Sequence, residues 1–134
     1  MVWEWLAYVK IGPLSLQSFT YMVPNGTYLG NGSRAGKARY MAKLKSMGFK
    51  SGVSDLVIAL PRGSYAGAYV ELKRKKGGTL RQEQKDFLCL MWAAGYYVTV
   101  SRGFDEACED IQDFLNGKAP RTLVQKRLDI KPKS

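Results

Sequence analysis

The stretch GVSDLVIALPRGSYAGAYVELK, residues 52–73, decides how this chain folds. Val53 to Leu60 is β-branched and aliphatic and reads as a strand. Pro61-Arg62-Gly63-Ser64 supplies a turn, and Ala68 to Lys73 forms the returning strand. Side chains alternate across a strand, so Tyr69, Glu71 and Lys73 share one face while Val70 and Leu72 take the other. On the outgoing strand, Asp55 lies with Val53, Val57 and Ala59. Asp55 and Glu71 each stand eight residues from Gly63, so a hairpin symmetric about that glycine sets them opposite each other. Lys73 follows two positions along.

Upstream of the hairpin, Val2 to Lys10 suggests a short aromatic helix before Gly12-Pro13. Phe19 to Val23 reads as a strand closed by the turn Pro24-Asn25-Gly26. A helix is expected from Ala35 to Met47, with Met41 and Leu44 on one face, Arg39, Lys43 and Ser46 on the opposite one, and Gly48 ending it. Downstream lies the basic loop Arg74-Lys75-Lys76-Gly77-Gly78. Thr79 and Gln82 have capping-box spacing and are read as opening a helix that runs to Ala94. Tyr96 to Val100 is a further strand, and an amphipathic helix carrying Phe104, Ile111 and Phe114 ends at Gly117. Its acids, Asp105, Glu106, Glu109, Asp110 and Asp113, are read as a first turn and a wet face. The expected class is α/β, a small mixed sheet flanked by helices. Residues 1–117 form the domain, and 118–134 are a basic tail.

Composition narrows the chemistry. A chain of 134 residues supports one core, and 46% apolar content excludes wholesale disorder. No apolar run has the length of a membrane span, and no segment resembles a signal peptide, so a cytoplasmic location is expected. Cys89 and Cys108 lack metal-ligand spacing and are expected as buried thiols. Lys and Arg number 21 against 11 Asp and Glu, a formal charge of +10, which points to a polyanionic partner such as nucleic acid. There is no histidine, which excludes Ser-His-Asp and Cys-His hydrolases, His-ligated zinc and a histidine general base.

Two carboxylates side by side repel and lose hydration unless something neutralises them. A divalent cation does so, and with oxygen ligands alone it is Mg²⁺ or Mn²⁺. The Leu72 carbonyl, between Glu71 and Lys73, offers one more oxygen. Such an ion polarises a phosphodiester, while Lys73 orients water or meets charge on the phosphorus oxygens. The competing reading is a surface carboxylate pair with a salt-bridging lysine on an ordinary hairpin. Gln84 falls at the centre of the apolar stripe Leu80, Phe87, Leu88 and Met91, so its inward amide needs a partner, either backbone or a site. GNGSRAGK, residues 30–37, fails as a nucleotide phosphate loop: Asn31 holds the first glycine position and Ala38 replaces the hydroxyl. Asn25, Arg34 and Lys37 there, and Arg74, Lys75 and Lys76 beside the proposed site, are candidates for phosphate contact, with plain solvation as the alternative.

Gly52-Val53-Ser54-Asp55-Leu56, then Tyr69-Val70-Glu71-Leu72-Lys73, then Gln84, resembles the VRR-NUC branch of the PD-(D/E)XK nucleases. The resemblance runs from about Pro24-Asn25-Gly26 to Gly103-Phe104-Asp105-Glu106-Ala107. It implies a restriction-endonuclease-like core, a metal-dependent phosphodiesterase and a DNA substrate. Asp55 and Glu71 match the metal-binding acids, Lys73 matches the catalytic lysine, and Gln84 gains a place beside the water or metal. Stand-alone members of this kind, often phage-encoded and so working in a bacterial host cytoplasm, act as homodimers on branched DNA such as Holliday junctions. Ser54 stands where the family usually has proline. The family often adds a glutamate from the first helix, for which Glu4 is the available residue. A catalytically inactive DNA-binding module on the same fold is the alternative function.

Overall fold

The computed structural model describes residues 1–23, 33–50 and 52–121. Strands β4 (Leu56–Ile58) and β5 (Ala68–Lys73) pair antiparallel with Leu56 opposite Val70 and Ile58 opposite Ala68. Continued by one residue, that register sets Asp55 opposite Glu71, as the sequence suggests. The turn itself is tighter than symmetry about Gly63 implies. Arg62 and Tyr65 exchange two backbone hydrogen bonds of 2.9 Å around Gly63-Ser64, with Gly63 at φ 57°. Between turn and ladder, the outgoing chain has one residue more (Ala59 to Pro61) than the returning chain (Ala66 and Gly67). This bulge falls where Pro61 has no N–H to give a ladder. Without it the register would slip by one and turn Asp55 to the other face.

On the other side of β4, β3 (Thr20–Met22) pairs antiparallel, and β6 (Tyr97–Arg102) runs parallel to β5, giving the order β3-β4-β5-β6. A parallel neighbour requires a crossover. Helix α3 (Gln82–Ala93) provides it. It covers one sheet face with Leu88 against Val98 and Val100, while Tyr69 packs edge-on to Phe87. Helices α1 (Val2–Leu6) and α4 (Phe104–Leu115) cover the other, where Leu6, Ile111 and Phe114 meet Leu56, Ile58, Val70 and Tyr97 at full burial. Each such side chain contributes roughly 1.5–3 kcal/mol over exposure. The alternation of β5 therefore sends Val70 into the α1/α4 core and Glu71 toward α3. Helix α2 (Arg34–Ser46) precedes β4 and has no fully buried residue.

Several details differ from the sequence reading. The first helix stops at Leu6, and a two-stranded hairpin, β1 (Lys10–Ile11) with β2 (Leu14–Ser15), turns at Gly12-Pro13. Two-residue strands are too short to leave a periodic signal. β4 is three residues long, not eight. Helix α3 starts at Gln82, so Thr79 with Gln82 is not its capping box; Gln84 reaches back instead to the Arg81 N–H at 2.9 Å. Cys89 and Cys108 are free and only partly buried. Among the described residues, no helix is long and apolar enough to cross a membrane.

Asp110 does not lie on the wet face of α4; it is fully buried. One carboxylate oxygen accepts from Thr99 Oγ1 (3.0 Å) and Ser101 Oγ (2.7 Å), both on β6. The other accepts from Nε (3.1 Å) and Nη2 (2.7 Å) of Arg121. A buried charge persists only when so paired. Burial and the nearby Asp110 push the Tyr97 hydroxyl well above the usual phenol range, so it stays protonated and donates to the Asp110 carbonyl at 2.8 Å. Of the expected tail, Lys118 to Arg121 lie on the body, with Pro120 buried and the Lys118 carbonyl accepting from Tyr65 Oη at 3.0 Å. Residues 122–134 lie outside the described residues.

Candidate active site

The end of β5 gathers the proposed chemical groups. Glu71 is 2% exposed, and its Oε1 accepts from Gln84 Nε2 at 2.9 Å and lies 3.6 Å from Lys73 Nζ. Its Oε2 is buried and has no hydrogen-bond donor among the described residues. Asp55 Oδ2 accepts the Leu72 N–H at 2.9 Å, across the gap where β4 has ended. In an extended strand, one residue's N–H and C=O leave by the same edge. The Leu72 carbonyl therefore leaves β5 on the edge that Asp55 covers. Burial pushes the Glu71 carboxyl up to about 7, the Asp55 carboxylate raises it further within that balance, and Lys73 partly opposes both.

Gln84 ties these parts together. Its Oε1 accepts from the Arg81 N–H at 2.9 Å and from Lys73 Nζ at 3.3 Å, while its Nε2 faces Glu71. One side chain thus caps α3 and aligns two charged groups, and those partners fix which end of the amide is which. α3 is held close to β4 by Gly52, at φ 88°, whose backbone lies so near that an added Cβ would sit 2.8 Å from the Glu83 carbonyl oxygen. A side chain there would displace the residue next to Gln84.

The structure brings together Asp55, Glu71, Leu72, Lys73 and Gln84, all five expected members. Glu4 is exposed and ion-paired to the Met1 ammonium at 2.6 Å, and Met1 lines the same cleft as Lys73. Arg74, Lys75 and Lys76 are exposed in the loop leaving Lys73. Arg34 and Lys37 lie at the start of α2, and Asn25 lies outside the described residues.

Sequence reading missed Arg102. Its Nη1 donates to the carbonyls of Gly77 (3.0 Å) and Gly78 (3.1 Å), two glycines held at φ 76° and 68°. With the Gly103 N–H on the Lys73 carbonyl at 3.0 Å, this pins the basic loop to the end of β6. A basic residue after a strand carries no signal for such a role. Ser54, beside Asp55, is fully buried, and its hydroxyl has no partner among the described residues. Lys73 opens onto a cleft of about 390 Å³ lined by Trp3, Met22, Leu72 and Phe104, so the site is reachable from outside.

The VRR-NUC domain matches residues 29–105, more than half of the sequence. The chain belongs to the VRR-NUC family. A solved structure, a VRR_NUC domain protein, shares its architecture with a TM-score of 0.73 at 25% identity, over 88% of this chain and 84% of that one. None of the curated proteins matches it. The matched segment spans α2, β4, β5, α3 and β6 and extends into the first turn of α4, so the VRR-NUC segment and the carboxylate cluster coincide. The mixed sheet with its flanking helices is the nuclease-like fold of the family.

The donor set fits a hard divalent cation. Among the described residues, no group of three or more His, Cys, Asp or Glu side chains converges. Two carboxylates and a carbonyl remain, which suits an ion that keeps several waters. Burial first, and then the neighbouring Asp55 carboxylate, raise the affinity of the Glu71 carboxyl for a proton, and Lys73 offsets this only in part.

Proposed function

We propose that this VRR-NUC chain is a DNA endonuclease that hydrolyses phosphodiesters with Mg²⁺ or Mn²⁺. The observation that carries this reading is Glu71, a carboxylate buried beside Asp55 and Lys73, with one oxygen that meets no donor among the described residues. Asp55, Glu71 and the Leu72 carbonyl would hold the ion. Bound there, it supplies Lewis-acid stabilisation of the phosphoryl oxygens and makes water a better nucleophile near neutral pH.

The chain's own residues do the rest. Lys73, 17% exposed and turned by Gln84, presents its ammonium to the charge that develops on the phosphorus oxygens. Gln84 holds the Glu71 carboxylate and the Lys73 ammonium at a fixed separation, so neither must reorganise as substrate arrives. Arg102 keeps the loop Arg74-Lys75-Lys76 where it can meet backbone phosphate. Branched DNA as substrate and action as a homodimer belong to the same reading and rest on the family resemblance. Exposed Trp3, Tyr8 and Leu14 leave apolar surface for a second copy.

Incubating purified protein with branched, nicked and linear DNA, with Mg²⁺ or with chelator, is expected to give metal-dependent cuts and to favour the branched form. Failure to cut any form, or equal cutting by Asp55→Asn protein, overturns the reading. An inactive binding module would retain DNA without product in either condition.

The reading also fixes a pH dependence. Glu71 must release its proton to bind a cation, and its carboxyl sits at about 7 in the metal-free protein. Mn²⁺ affinity should therefore rise about tenfold per pH unit up to neutrality and level off above it. Calorimetry at several pH values measures this, and an affinity unchanged between pH 5.5 and 8 would contradict it.

A further inference from the structure

Among the described helices only α2 has no fully buried side chain. Its residues include Arg34, Lys37, Arg39, Lys43 and Lys45, and no acid. Helix stability accounts for only part of that pattern: Lys43 and Lys45 sit in the last turn, where the dipole favours cations. Cations at Arg34 and Lys37 oppose the dipole at the N-terminal end, and Arg39 with Lys43 places like charges four residues apart. Ser33 caps the helix, its hydroxyl accepting from the Gly36 N–H at 3.0 Å, so the first turn is held by other means. Among the described residues, none of the five cations forms an ion pair with a carboxylate. Lys37, Met41 and Leu44 are half-buried, while Arg39 and Lys43 are exposed on the side away from them.

The chain joins this helix to the carboxylate-bearing hairpin by a short connection. From its end, the backbone passes through Gly52, which lies against Glu83, the neighbour of Gln84, and reaches Asp55 three residues later. The second basic segment, Arg74-Lys75-Lys76, leaves the same site from Lys73. We propose that α2 is a docking surface for the phosphate backbone of duplex DNA, with Arg39 and Lys43 as its main contacts and the 74–76 loop gripping the same duplex beyond the cut. The choice of DNA as the polyanion rests on the nuclease reading. The surface itself rests on the charge and exposure of the helix.

The test is fluorescence anisotropy of the full chain with a labelled DNA duplex in chelator, over a range of salt concentrations. Arg39→Gln/Lys43→Gln is compared with the charge-keeping Arg39→Lys/Lys43→Arg and with Lys10→Gln/Lys118→Gln, which removes equal charge elsewhere. The first pair should weaken binding by roughly tenfold or more and reduce the slope of log K against log salt by about 2. The charge-keeping pair should bind like wild type, and the distant pair should change little. Equal weakening by both neutralising pairs, or wild-type binding by the α2 pair, overturns the proposal. Tighter binding of matched duplex RNA overturns the choice of DNA. If the wild-type protein binds and cuts DNA while the α2 pair is silent, only this surface is wrong. If it neither binds nor cuts, the nuclease reading falls too.

Discussion

Replacing Glu71 by glutamine is expected to slow cleavage severely and make the metal-free protein more stable. The two effects have one cause. The carboxyl has an ordinary value of 4.5 and sits at about 7 in the fold, so the folded state holds its proton more tightly than the unfolded chain. Below 4.5 both states are protonated and Glu71 imposes no charge cost. Between those values stability falls as pH rises, and above about 7 the full cost of the buried carboxylate is present. Glutamine removes that cost. Its carbonyl still accepts from Gln84, and its amide has the Asp55 carboxylate beside it. The gain at pH 8 is about 1–3 kcal/mol, a rise in Tm on the order of 5 °C, and it disappears near pH 4. Cleavage falls on the order of 10³-fold, because one of two side-chain oxygen ligands becomes neutral. Thermal melts at both pH values and a cleavage assay decide the matter. Destabilisation at pH 8 would mean that Glu71 is held by structure rather than for chemistry.

The second large effect lies at Asp110, behind the site. Asp110→Ala removes the carboxylate that accepts from the Thr99 and Ser101 hydroxyls, leaves Arg121 its partly exposed pairing with Glu109, and opens a space in the core. The expected loss is about 3–5 kcal/mol. Arg121→Met should cost a comparable amount, because it leaves the fully buried Asp110 carboxylate with two hydroxyls and no countercharge. The double variant should be little worse than Asp110→Ala, since both remove one network. Urea denaturation of the three proteins measures this. A loss below about 1 kcal/mol for Asp110→Ala would show that the network is dispensable. The network adjoins the candidate site through β6, where Ser101 stands in register with Leu72 and Arg102 with Lys73.

Much of the site was legible because it is local. The Asp55/Glu71 register follows from a short hairpin, and the alternation of β5 sends Glu71 and Lys73 to one face. Even there, the counting about Gly63 succeeded because a one-residue bulge before the turn compensates for a turn centred on Gly63-Ser64. What the sequence hid depends on distant partners. Asp110 reads as one more surface acid until β6 and Arg121 close around it. Arg102 reads as a solvated end of strand until the Gly77 and Gly78 carbonyls meet it. Gln84 was placed inward by its stripe, but its hold on Lys73, Glu71 and the Arg81 N–H appears only once α3 is laid on the sheet. Glu4 was suggested by resemblance alone, and α1 carries it to the surface.

The most direct test of the carboxylate site is calorimetric titration of Mn²⁺ into wild-type, Asp55→Asn and Glu71→Gln proteins at pH 8. Saturable binding by the wild type that is lost in both variants is the expected result. No binding by the wild type, or undiminished binding by both variants, would contradict a metal centre built on Asp55 and Glu71.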